Sequence, residues 1–189
     1  MTADLKRRSA LAGIPLPAGA AARPFLAQVG LRLDPSDAAL RGRVEGALGV
    51  TLPLAANTVT GDAAGRHVLW LGPDEWLVVG PDGSAAAIEA AIGGAAGGGF
   101  VTATDLSANR IAIEIAGPHA RELLESGMPL DLHPRAFRAG SCAQTILGRF
   151  GVIVHQLTDA PSYRVWVRPS FAASLAAWLT DAAIGLPRD

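Results

Sequence analysis

The residues whose types and spacing could do chemistry are Asp105-Leu106-Ser107, followed by Arg110 at the head of an alternating run that ends at Ala116. A carboxylate, a hydroxyl and a guanidinium so close in sequence can hydrogen-bond a polar ligand. Asp and Ser two residues apart also close a local side-chain-to-backbone turn at a strand end. On the sequence alone the turn is the stronger reading. Arg110 and Arg121 are placed to pair with nearby acids, a contact of little energetic worth if exposed.

The other candidates carry less. His67, His119, His133 and His155 form no HxH, HxxxH or HExxH pair, and one cysteine cannot complete a tetrahedral site, so no metal is expected. His133, between Leu132 and Pro134, reads as a loop contact. No GxSxG elbow activates a serine. Cys142 heads an apolar strand, where a buried, inert thiol is the default. Asp74 and Glu75 sit in a turn and Asp62 and Asp82 in loops, so no carboxylate pair is set for acid–base work. The glycines of 93–99 follow a helix and lack the spacing of a phosphate loop, which leaves a flexible connection. No catalytic residue is expected.

The elements that must position these residues can be read along the chain. Residues 1–24, rich in Pro and Ala and without periodicity, read as an extended arm that is either frayed or ordered by a partner. Phe25 to Leu33 reads as a strand. Asp34 or Ser36 caps a helix, with Asp37 in its first turn and Leu40, Val44, Ala47 and Leu48 at helical spacing before Gly49. His67–Leu71 and Glu75–Val79 form a hairpin across Gly72-Pro73-Asp74. Ser84 caps a helix from Ala85 to Ile92, and Phe100–Leu106 is the next strand. The pattern then partly repeats. Strand Arg110–Ala116 leads through Gly117-Pro118 into a helix with Leu123 and Leu124. Strands Cys142–Leu147, Val152–Leu157 and Tyr163–Val167 follow, then an amphipathic helix with Phe171, Leu175, Trp178, Leu179 and Ile184. The expected fold is α+β, with two ferredoxin-like β-α-β-β-α-β-type modules packed together. The expected division is 25–106 and 107–189, with one compact domain as the alternative. Trp70, Trp76, Trp166 and Trp178 read as core, and one or two as interface anchors.

Composition narrows the partners. Half of the 189 residues are hydrophobic and only 17% are charged, which favours a chain that covers part of its surface in a complex. A net charge of −1 gives nothing to neutralise phosphates, so no nucleic acid is expected. The single cysteine forbids an internal disulfide. The apolar run after Lys6-Arg7-Arg8 is broken by Pro15 and Pro17, and no stretch reaches membrane-spanning length. The expected location is cytoplasmic, off the membrane.

A set of ordered segments now carries a resemblance. They are Leu71-Gly-Pro-Asp-Glu-Trp-Leu77, Asp105-Leu-Ser107 with its Arg-led strand, and Gly117-Pro118. To these is added Pro129-Leu-Asp-Leu-His-Pro-Arg-Ala-Phe137 before a Cys-x-x-Thr strand. In order and spacing, over most of the chain past Phe25, they resemble the gamma subunit family of heterotetrameric sarcosine oxidase. The resemblance implies alpha, beta and delta subunits as partners. It implies FAD, FMN, NAD and tetrahydrofolate in the larger subunits, zinc in the smallest, and no cofactor bound by this chain. The complex would oxidise sarcosine, pass its methyl carbon to tetrahydrofolate and release hydrogen peroxide. This chain would be its non-catalytic gamma subunit, packed on the folate-binding part of the large subunit.

More remotely, the second half is similar to the first domain of the glycine-cleavage aminomethyltransferase, which implies an aminomethyltransferase-like folate-binding domain fold. That family has Asp-Val-Ser-His where this chain has Asp105-Leu106-Ser107-Ala108. It also has an Asp after a Gly-Gly-Val-Ile hairpin, where Val154 stands here. A valine cannot hydrogen-bond folate. The chain is also about half the length of such an enzyme, and it lacks the Lys-Gly-Cys-Tyr-like motif of a related iron–sulfur repair protein. The alternative is a stand-alone folate-binding or methyl-transfer module with Asp105, Ser107 and Arg110 as its contacts; a generic α+β scaffold module with another partner is the third reading.

Overall fold

A computed structural model describes residues 7–187 of the chain. Ten strands and four helices follow one another: β1 (Ala20–Arg23), β2 (Ala27–Leu33), α1 (Ala38–Leu48), β3 (Val59–Gly61), β4 (His67–Gly72), β5 (Glu75–Gly80), α2 (Ala85–Ala95), β6 (Val101–Asp105), β7 (Ile111–Ala116), α3 (Ala120–Glu125), β8 (Cys142–Leu147), β9 (Phe150–Thr158), β10 (Ser162–Val167) and α4 (Pro169–Ala183). They build an α+β fold with two five-stranded antiparallel sheets, ordered β3-β4-β5-β2-β6 and β1-β7-β10-β9-β8.

Reversing the second order gives β8-β9-β10-β7-β1, and the two sheets then match strand for strand. The chain is two copies of one unit, β-β-α-β-β-β-α. The second copy trails the first by 81 residues at the first strand (Ala20 against Val101) and by at most 87 (Glu75 against Ser162). Each copy lends its first strand to the other's sheet: β1 lies beside β7, and β6 beside β2. The last four residues but one of the arm expected at 1–24 are therefore a sheet edge, while residues 1–6 lie outside the described part. The boundary expected at 106/107 falls between β6 and β7, where the chain crosses from one sheet to the other.

Strand periodicity decides where side chains go. In β10, Tyr163, Val165 and Val167 turn outward to α3 and α4, while Trp166 turns toward the other sheet. In β5, Trp76 and Val78 turn to α1 and α2, and Leu77 and Val79 inward. Two helix-covered cores thus flank a third layer between the sheets, containing Leu69, Leu77, Ala112, Cys142, Ile153 and Trp166. Each fully buried side chain of this size contributes roughly 1.5–3 kcal/mol. Close approach at the crossover requires Gly30, where a Cβ would stand 2.9 Å from the Leu106 side chain.

Two helix boundaries differ from the expectation. Neither Asp34 nor Ser36 caps α1. Asp34 accepts hydrogen bonds from the backbone and hydroxyl of Ser36, and Asp37 accepts from Leu40 N at 2.9 Å as the N-cap. Ser84 does not cap α2, because its hydroxyl donates to the Pro81 carbonyl at 2.7 Å. That helix also runs past Ile92 to Ala95. Arg43 of α1 donates to the Ala95 and Ala96 carbonyls at 3.0 and 2.9 Å and so satisfies the end that the glycines leave open.

Candidate functional site at the strand crossover

The two lent strands return at one place. The β1–β2 link and the β6–β7 link come together there with the start of α2 and Pro169 of α4. They enclose a groove of about 650 Å³ lined by Arg7, Phe25, Asp82, Asp105, Ser107 and Arg110, among others. The three residues singled out from sequence therefore do share one site.

Within it, Asp105 and Ser107 bind one another. An Asp105 carboxylate oxygen accepts from the backbone N–H of Ser107 at 2.8 Å and from its hydroxyl. The same hydroxyl oxygen accepts from Gln28 N at 3.0 Å, and Leu106 N donates to the Gln28 carbonyl at 2.7 Å. The motif thus locks the β6–β7 crossover onto β2. The Ser107 hydroxyl and N–H, with some help from Arg7, hold the Asp105 carboxyl below its usual range against slight burial.

Arg110 is different. Its carbonyl accepts from Gln28 Nε2 at 2.9 Å, yet its Nη1 is enclosed without a hydrogen-bond partner. Burial, and then the neighbouring Arg168, lower its pKa, with Glu75 opposing. The expected pairing of Arg110 and Arg121 with acids does not occur among the described residues. Arg121 donates instead to the Tyr163 hydroxyl at 3.3 Å, because β10 places that oxygen beneath α3. Above the groove, Arg7 reaches Asp82 at 2.7 Å and lies 4.3 Å over the Phe25 ring. Phe25 has φ of +65°, an uncommon and strained value for a bulky residue.

A second cluster was not foreseen. His67 of β4 and His155 of β9, 88 positions apart, meet between the sheets with ring centroids 5.5 Å apart. Arg164 donates to His67 Nε2 at 3.4 Å, to the Ala63 carbonyl at 3.2 Å and to Glu114 at 2.6 Å, and Glu114 is shared with Arg23 at 2.6 Å. Burial, reinforced by Arg164, lowers the pKa of His67 to about 4. Burial, then His67 and Arg164, lower that of His155 to about 3. Both rings are neutral at ordinary pH. Burial pushes Glu114 up, but its two arginines outweigh this and hold it below the usual range. Cys142, paired in register with His155, is fully buried and its thiol is pushed up to about 12, so it is not a nucleophile. The sequence signal for this cluster was the period of two, which puts His155 on the face of Ile153 and Arg164 on that of Trp166.

The remaining candidates stay apart. Exposed His133 accepts from Arg135 N at 3.2 Å through Nδ1. His119 lies 3.2 Å from Glu122. Among the described residues no group of three or more His, Cys, Asp or Glu is arranged to hold a metal ion, and no helix is long and apolar enough to cross a membrane.

Comparison with known proteins adds a further finding. The model of the sarcosine oxidase, gamma subunit family matches residues 32–185. A sarcosine oxidase subunit gamma from an Arthrobacter species is 41% identical over 160 residues, covering 84% of this chain and 76% of that protein. A solved heterotetrameric sarcosine oxidase from Corynebacterium sp. U-96, in complex with pyrrole 2-carboxylate, has a chain that superposes with a TM-score of 0.85 at 32% identity. The match covers 97% of this chain and 98% of that one. The glycine cleavage system aminomethyltransferase T from Bartonella henselae shares the fold, with a TM-score of 0.61 at 13% identity over 90% of this chain and 47% of that one.

Proposed function

The chain belongs to the sarcosine oxidase gamma subunit family, and from that premise we propose that it is the gamma subunit of a heterotetrameric sarcosine oxidase. Its partners are the alpha, beta and delta subunits, and the complex oxidises sarcosine, transfers the methyl carbon to tetrahydrofolate and releases hydrogen peroxide. FAD, FMN, NAD, tetrahydrofolate and zinc belong to the other subunits. This chain packs on the folate-binding part of the largest one and carries no catalytic residue.

The observation that carries this reading is the match, over 97% of the chain, to a chain of a solved heterotetrameric complex. The chemistry of the chain agrees with it. Cys142 and the two seam histidines are buried and held in their neutral forms, and Asp105 is tied to Ser107. Such groups position strands. A permanent subunit of this kind buries an interface above the ~1,600 Å² of an average complex.

The test is co-expression of the tagged chain with its native oxidase subunits. A yellow complex of defined stoichiometry is expected in light scattering and flavin absorbance. A colourless species near 19 kDa would overturn the reading. The stand-alone folate module is separated by titration calorimetry of the isolated chain with tetrahydrofolate. No heat is expected, and a micromolar dissociation constant would favour that module instead.

A further inference from the structure

We propose that the groove at the end of α4 is a docking site for an arginine side chain of a neighbouring subunit. The duplication within the chain leads to it, because the first copy shows what fills the same place. There the end of α2 meets α1 and the entry to β6. Arg43 of α1 donates to the Ala95 and Ala96 carbonyls at 3.0 and 2.9 Å. Gly99 lies so close that a Cβ would stand 3.0 Å from the Leu40 side chain. In the second copy the end of α4 meets α3 and the entry to β1. That place is an open groove of about 640 Å³, lined by Gly19, Ile115, His119, Leu123, Thr180 and Ile184, among others. Arg43 lies six residues past the N-cap Asp37, and six residues past the N-cap His119 stands Glu125. α4 has no basic residue in its last turn, and among the described residues no arginine reaches its final carbonyls.

The groove's own groups set the occupant's chemistry. The carbonyl end of a helix carries about half a negative charge, which favours a cation. Glu122, Glu125 and Asp181 are exposed on α3 and α4, and the nearby Arg121 is drawn to the Tyr163 hydroxyl at 3.3 Å. Ile184, 70% exposed, and Leu123 give an apolar wall on which an aliphatic stem can lie. Arginine joins such a stem to a planar fork that reaches two carbonyls at once, as Arg43 does, whereas lysine brings a point charge. Arginine is also enriched among the anchors of protein interfaces. The chain supplies this group itself in the first copy, and a neighbour supplies it in the second. That the neighbour is an oxidase subunit rests on the subunit reading; the groove's preference for a cation does not.

Thiol labelling of the full-length chain tests both parts. Cys142 is fully buried, so Ile184→Cys offers one reactive thiol at the groove. Phe100→Cys, at a residue 79% exposed, offers one at the entry to β6, by the place that Arg43 fills. The probes are methanethiosulfonates of equal length, one a trimethylammonium cation and one a sulfonate anion. On the isolated chain the cation-to-anion rate ratio, divided by that of a small neutral thiol, should be about five at Ile184→Cys and near unity at Phe100→Cys. In the co-expressed oxidase, labelling of Ile184→Cys should slow about tenfold or more as the interface covers it. A ratio near unity at both positions, or the same excess at both, would overturn the cation site. Undiminished labelling in an assembled complex would overturn the docking. If the wild-type chain fails to assemble, the subunit reading falls and the neighbouring subunit with it, while the ratio on the isolated chain still decides the cation site.

Discussion

The outer faces of the two sheets and the layer between them are made by the same strands, yet they are chemically unlike. The outer faces meet their helices in nearly pure hydrocarbon: Leu31 of β2 in one core with Val44 of α1 and Ile88 of α2, and Ile113 of β7 in the other with Leu124 of α3 and Leu175 of α4. The layer between mixes Leu77, Ile153 and Trp166 with buried His67, His155, Gln28 and Arg164. A hydrocarbon face tolerates any filler of the right volume. A polar layer tolerates only a register that pairs its groups, since each unpaired group costs about 1–3 kcal/mol. The outer cores therefore supply most of the stability, while the inner layer fixes how the two sheets sit together and links that packing to protons.

The comparison can be broken at several points. The largest effect is expected in an outer core. Trp76→Ala removes a fully buried indole that donates to the Pro53 carbonyl at 2.8 Å, and should cost about 4 kcal/mol in urea unfolding. Next comes Glu114→Gln, which leaves the guanidinium of Arg164, its side chain 7% exposed, without its counter-charge. A loss of about 3 kcal/mol is expected. If Arg164→Met alone proves neutral, the pair fixes register without adding stability.

Acid gives the third effect. The folded-state pKa values of His67 and His155, about 4 and about 3, lie below the ordinary 6.5, so the folded chain binds fewer protons than the unfolded one. Their contribution is complete above pH 6.5 and is lost as pH falls from there toward 4 and below. On the order of 1 kcal/mol should disappear between pH 7 and 6 for the two together. The double variant His67→Leu with His155→Leu should flatten that slope, and an unchanged slope would move the acid sensitivity elsewhere. The smallest effect belongs to the surface, where Arg32→Ala breaks exposed contacts to Asp74 and Glu75 and should change stability by under ~0.5 kcal/mol.

What was legible in the sequence follows the same division. Local sequence pattern located β2, β4 to β10 and all four helices, most of them because a continuous apolar face shows in the sequence. β1 was hidden because Ala20-Ala-Ala-Arg23 has little strand propensity of its own and is extended only because the edge of β7 is open to it. Three-residue β3 is too short to show a period. Asp105 and Ser107 were recognisable as a turn because their partners are local. The groove around them was not, since Arg7, Phe25 and Asp82 reach it through the exchange of first strands. The His67–His155 pair was hidden for the same reason, as period-two reasoning gives the face of a strand but not the strand that lies across from it.

The most direct measurement for the subunit role is to express the oxidase with and without this chain and record assembled mass together with sarcosine-dependent hydrogen peroxide release. The account predicts that omission collapses the complex and its turnover, and that adding the chain back restores both. A complex that assembles without it and releases peroxide at the full rate would contradict the account.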